Sequence, residues 1–226
     1  MQLTADSWHE ADRLFYNNPQ TPQWKGADVA NSVALDADRI LWVFGDTLLA
    51  EPGANHCNRF DQFNILVHNS LAVQYGTDPT KAQIRHFWGQ HDSEPASFFS
   101  PQEPSDSWYW MGGVTVVNEH ALVFLMHARS TSENAAPTVQ GSSCAGLSFE
   151  MLGWEARIAK ITPQNPDQWE WRSVTLPVDN YWHQILVGSS SVYADADFLY
   201  AWSAGPAGPA GNPVFLARWP LASAVS

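Results

Sequence analysis

Cysteine is almost absent: Cys57 and Cys144 are the two in 226 residues, too few for a disulfide framework and without the spacing of a zinc site. One bridge between them and two free thiols both remain open. Basic residues are scarce as well, 11 Lys and Arg against 23 Asp and Glu, for a formal charge of −12. Such a chain repels phosphate backbones and anionic lipid surfaces, so neither nucleic acid nor a membrane is an expected partner. No run approaches the ~20 apolar residues of a membrane helix. The first ten residues carry acids and lack the basic and apolar regions of a signal peptide. The location stays open between the cytosol and, where a signal has been removed, the periplasm or the cell exterior. A His-Glu-x-x-His pair, a Gly-rich phosphate loop and a Gly-x-Ser-x-Gly elbow are all missing. No metal and no cofactor is therefore expected, and acyl and phosphoryl transfer fall behind other chemistries.

What the chain has is aromatic surface. Twelve Trp, 11 Phe and 6 Tyr accompany a 45% hydrophobic composition, which describes a globular chain of one domain, residues 1–226. Helix signals are confined to residues 7–15, which Asn17, Asn18, Pro19 and Pro22 end. Most of the rest reads as strand. Residues 32–35 (SVAL) and 40–44 (ILWVF) flank a polar turn, as do 115–117 and 121–125, and 191–193 and 198–202. Leu41, Leu122 and Leu199 mark this hairpin recurring about every 80 residues. Further strand candidates, 65–73 and 83–88 after the first hairpin, 156–161 and 169–176 after the second, make each unit a hairpin plus two strands. That is the four-stranded blade of a β-propeller, although a β-sandwich with three similar hairpins fits the same pattern. Residues 92–106 and 205–213, rich in Pro or Gly, read as long loops.

Asp28 directly precedes the first strand of the first hairpin and Asp46 directly follows the second. In an antiparallel pair these two ends lie at the same edge, so both carboxylates belong to one rim. Paired carboxylates at a rim suit glycoside hydrolysis, one protonating the leaving oxygen and the other activating water or attacking the anomeric carbon. Gly45-Asp46-Thr47 is equally a good strand-ending turn, and Asp28 an ordinary entry into a sheet. His68 and Asn69 interrupt an apolar strand, where polar groups need partners; they either face a site or bind neighbouring strands. Trp24, Trp110, Trp182 and His183 lie near the starts of innermost strands, where aromatic rings could stack on sugar faces.

Residues 13–15 (RLF), 24–28 (WKGAD), 31–35 (NSVAL), 40–47 (ILWVFGDT) and 69–70 (NS), with Tyr109-Trp110 before Gly112, 121–125 (ALVFL), Tyr181-Trp182 and 214–221 (VFLARWPL), resemble the endo-D-arabinanase family of five-bladed β-propeller glycoside hydrolases. The resemblance spans nearly the whole chain and is most specific over residues 24–47. It implies an all-β fold of the five-bladed furanosidase type, with about three blades in this chain and the propeller incomplete at its C-terminus. It also implies a hydrolase of furanoside linkages, arabinan-like polysaccharide or oligosaccharide being the partner, with Asp28 and Asp46 as the catalytic pair and Asp28 in the base position. Gly113 stands where the resemblance leads us to expect an acid, and His183 where a glycine is common. A catalytically silent carbohydrate-binding or interaction propeller is the alternative, and open blade edges would allow self-association.

Overall fold

The computed structural model describes residues 14–15, 21, 23–50, 63–131, 149–177, 185–205 and 213–224. Among the described residues sixteen strands form antiparallel sheets, and the expectation of an all-β chain holds. Strands β1 (Trp24–Ala27), β4 (Thr47–Ala50) and β5 (Phe63–Val67) make one three-stranded sheet. Strands β2 (Asn31–Ala34), β3 (Arg39–Phe44), β6 (Ser70–Tyr75) and β7 (Gln83–Phe87) make a second, ordered as in sequence. Strands β8 (Gly89–His91) and β9 (Glu94–Ala96) form a small hairpin, and β9 falls inside the expected loop over residues 92–106. The third sheet is a meander of β10 (Ser107–Val117), β11 (His120–Ser130), β12 (Phe149–Lys160) and β13 (Arg172–Val174). The fourth holds β14 (Leu186–Ala194), β15 (Phe198–Ala204) and β16 (Val214–Pro220), followed by the helical turn α1 (Leu221–Ala224).

The four sheets stack in chain order with a core between each neighbouring pair. Trp24, Phe44, Leu49, Val67, Ala72 and Ile84 fill the first core. Leu41, Val43, Leu71, Val73, Met111, Val123 and Leu125 fill the second. Leu122, Phe124, Ile158, Val187, Leu199 and Trp219 fill the third. The period-2 alternation of a strand explains the continuous apolar runs in the sequence. Within β3, Leu41 and Val43 face one core while Trp42 and Phe44 face the other; β11 divides Val123 and Leu125 from Leu122 and Phe124 in the same way. Each fully buried Leu or Phe stabilises the stack by about 1.5–3 kcal/mol.

The first strands of the second, third and fourth sheets meet. Strand β10 touches both β2 and β14, and Asn31 Nδ2 donates to the carbonyl of Gly112 at 3.0 Å. At Gly113 the approach of β14 is so close that a Cβ would stand 2.8 Å from the Val192 nitrogen. The acid anticipated at this position has no room. Among the described residues these sheets form a stack and no closed ring. The hairpin-plus-two pattern holds for the second and third sheets, while the fourth has three strands. Its outer face carries Tyr193, Val214 and Leu216, each more than half exposed. Leu14 and Phe15, the described part of the anticipated N-terminal helix, are helical. The anticipated loop over residues 205–213 lies mostly outside the described residues, as do both cysteines.

Candidate functional site

Residues 65–73, which read as one strand, are two strands in two sheets: β5 pairs with β4, and β6 pairs with β3. The break falls at His68 and Asn69. Two further breaks fall at the same level. The ribbon β2/β3 continues as β1/β4, with Asn31 opposite Val43 and Ala27 opposite Thr47, so Asp28–Ala30 and Gly45–Asp46 are the links between the sheets. Three adjacent strands thus turn one corner together, and every residue of the carboxylate and His68-Asn69 motifs sits on it. Strands that change sheets make such corners by bends. Here the bend is concentrated at Val29, a β-branched residue held at φ 48°, a conformation that costs of order 1–3 kcal/mol and tends to persist at functional sites.

A corner leaves backbone groups without ladder partners, and local bonds replace them. The amide of Asp28 donates to the carbonyl of Asp46 at 3.1 Å, and the amide of Gly45 donates to the carbonyl of Asp28 at 3.0 Å. Buried Thr47 Oγ1 donates to the Gly45 carbonyl and bonds Ser70 Oγ, both at 2.8 Å. Gly45 is required for the placement of Asp28, because a Cβ there would lie 2.3 Å from Asp28 Oδ1.

The two carboxyl groups have different surroundings. Asp28 is an exposed residue, yet its carboxyl is shifted above its ordinary value, first by partial desolvation at the corner and then by the charge of Asp46, against backbone hydrogen bonds that pull the other way. Asp46 Oδ1 receives Trp110 Nε1–H at 2.8 Å and bonds His68 Nδ1 at 2.9 Å. The His68 ring stacks on Trp108 with centroids 4.7 Å apart, and its backbone amide donates to Ser97 Oγ. Trp108 and Trp110 meet edge to face at 5.5 Å, and Trp110 meets Phe149 likewise at 4.8 Å. The side chains of His68 and Asp46 retain 33% and 29% exposure, enough to be reached from solvent. One carboxyl inclined to keep its proton beside another held by two nitrogen groups can divide acid and base duties.

The structure thus brings Asp28, Asp46, His68 and Trp110 together and adds Trp108, which the sequence presents within the same segment but does not single out. Asn69 and Trp24 are placed elsewhere. Asn69 is fully buried, its amide nitrogen donating to the carbonyls of Phe99 and Tyr109 and its oxygen accepting from the Phe99 amide; it pins the corner out of reach of solvent. Trp24, 8% exposed, stacks on His86 at 4.2 Å inside the first core, because Thr21 and β7 close over it. Trp24, expected at the mouth, is packed behind it, and of the two readings open for Asn69 the structure has the one in which it binds neighbouring strands. Trp182 and His183 lie outside the described residues. No group of three or more metal-ligating side chains occurs among the described residues. A cavity of about 640 Å³ lined by His120, Lys160, Thr162, Trp169 and Arg172 lies at the other end of the third sheet, where His120 pairs with Lys160.

Fold and site together define an all-β protein of stacked antiparallel sheets with a carboxylate pair at a shared corner. The chain belongs to the family described as "Domain of unknown function (DUF5005)", whose model matches residues 12–218. A crystal structure from Bacteroides ovatus ATCC 8483, described as a "putative hydrolase", is similar to it in fold, with a TM-score of 0.63 at 15% identity. The similarity covers 93% of this chain and 51% of that one, so the chain spans about half the length of that structure. No curated protein matches.

Proposed function

We propose that the protein is a glycoside hydrolase acting on furanoside linkages of arabinan-like polysaccharide, built on part of a five-bladed furanosidase-type β-propeller. The observation that carries the reading is the pair at the corner: Asp28, raised by partial desolvation and by Asp46, beside Asp46 bonded to Trp110 and His68. In this reading Asp28 is the general acid and protonates the leaving glycosidic oxygen, while Asp46 is the base or nucleophile on the anomeric carbon. That reverses the roles implied by the family resemblance, and the surroundings of the two groups are the reason. The meeting of β2, β10 and β14 supports a radial arrangement of blades, and the hydrolase description of the Bacteroides ovatus protein supports the reaction class. Incubation with D-arabinan and related furanoside polymers should release reducing ends, and Asp28→Asn and Asp46→Asn should each abolish the release. Turnover surviving in both variants would sink the mechanism.

One observation favours a second reading, a catalytically silent carbohydrate-binding propeller. The packing of Gly113 against Val192 leaves the mouth without the acid anticipated there. Glycan binding with no turnover by the wild-type protein would decide for it.

A further inference from the structure

Three properties of the Asp46 carboxylate bear on how it works, and the inference drawn from them rests on the hydrolase reading. Two nitrogen groups, Trp110 Nε1 on β10 and His68 Nδ1 at the break between β5 and β6, converge on the same oxygen, Oδ1. Asp46 Oδ2 has no partner among the described residues. An indole N–H can only donate, so wherever Trp110 reaches Oδ1 that oxygen is fixed as an acceptor.

We propose that Trp110 is a positioning residue for Asp46: its indole N–H, with His68, locks Oδ1 as the acceptor and leaves Oδ2 as the one oxygen that meets substrate or takes a proton. The assignment sets the histidine as well. Where Oδ1 accepts from both, the His68 ring carries a hydrogen on Nδ1. The donors are held from behind. Trp110 is gripped between Trp108 and Phe149, and His68 is stacked on Trp108 and tied to Ser97. A carboxylate free to rotate would present either oxygen, and misplacement of a reacting group by about 1 Å is enough to cost roughly a hundredfold in rate.

The test is Trp110→Phe, which keeps an aromatic ring beside Trp108 and Phe149 and removes the N–H along with the second ring of the indole; a resonance measurement separates loss of the hydrogen bond from loss of packing. With D-arabinan as substrate, kcat should fall roughly tenfold to a hundredfold while KM stays within about twofold. The second measurement needs no turnover: the Trp110 indole N–H resonance of the wild-type protein should move upfield, and exchange faster with solvent, in Asp46→Ala. Full kcat in Trp110→Phe alongside a dead Asp46→Asn would overturn the clamp and leave the hydrolase reading standing. An indole resonance unmoved by Asp46→Ala would overturn the clamp whether or not Trp110→Phe folds. A resonance that moves in a protein that turns over no furanoside would establish the clamp and remove the hydrolase reading.

Discussion

Acid should weaken this fold through one buried imidazole. His86 on β7 is 4% exposed, its Nδ1 bonds Thr21 Oγ1 at 2.8 Å, its ring lies against Trp24, and its Nε2 has no partner among the described residues. Burial pushes its pKa down from 6.5 to about 3. The folded protein therefore keeps the ring neutral, while the unfolded chain takes up a proton as the pH falls through about 6.5. The stability His86 allows is complete above that value and is lost progressively toward pH 3. Each pH unit inside the window costs about 1.4 kcal/mol, so going from pH 7 to pH 4.5 removes about 2.5 kcal/mol through this residue alone. That is a large share of a total stability of about 5–15 kcal/mol. Urea unfolding at both pH values, for the wild type and for His86→Gln, isolates the effect because every other titrating group is common to both proteins. The wild type should lose about 2.5 kcal/mol more than the variant on acidification. Equal losses would show that His86 protonates in the folded state, and the reasoning from its burial would fail.

Gly45→Ala places a Cβ where Asp28 Oδ1 now lies, so turnover should drop by roughly a hundredfold with little change in melting temperature; unaltered turnover would show that Asp28 is not the acid. Asn69→Leu strips partners from the Phe99 amide and from the carbonyls of Phe99 and Tyr109, and at about 1–3 kcal/mol for each group left unpaired the loss in urea denaturation should be about 3 kcal/mol or more. Gly113→Asp, which supplies the acid that the resemblance anticipates, should lower the melting temperature and add no activity, since its Cβ would press on Val192; a stable, more active variant would contradict the packing at β10 and β14.

The hairpins were legible because alternation and turn chemistry are local. The sequence places strands at residues 32–35 and 40–44, the structure has β2 and β3 there, and the antiparallel pairing alone puts Asp28 and Asp46 at one edge. The corner was not legible. Nothing local distinguishes a continuous strand over residues 65–73 from two strands in two sheets, because the break at Asn69 is set by partners 30 and 40 residues away. Strands β1 and β4 carry no local signature for the same reason: each is four residues long and owes its sheet to a ribbon that has already turned. Trp24 shows the limit of reading aromatic residues by type. A tryptophan beside a candidate acid serves a sugar or a core equally well until the structure supplies its neighbour, here His86.

The corner also explains why chemistry and architecture share residues. A three-stranded ribbon that changes sheets must leave amides and carbonyls unpaired at the turn, and in a stack whose sheets bury both faces, water is not at hand to satisfy them all. Polar side chains have to be there. Thr47, Ser70 and Asn69 meet the need from the buried side, and the backbone bonds between Asp28, Gly45 and Asp46 meet it at the rim. Once polar residues are obligatory at that level, two of the positions can be taken by carboxyl groups, and the rigid sheets on either side hold them in register. The strained Val29 belongs to the same argument: a bend that the flanking ladders over-determine can keep Asp28 over Gly45, where a relaxed loop would let it swing away.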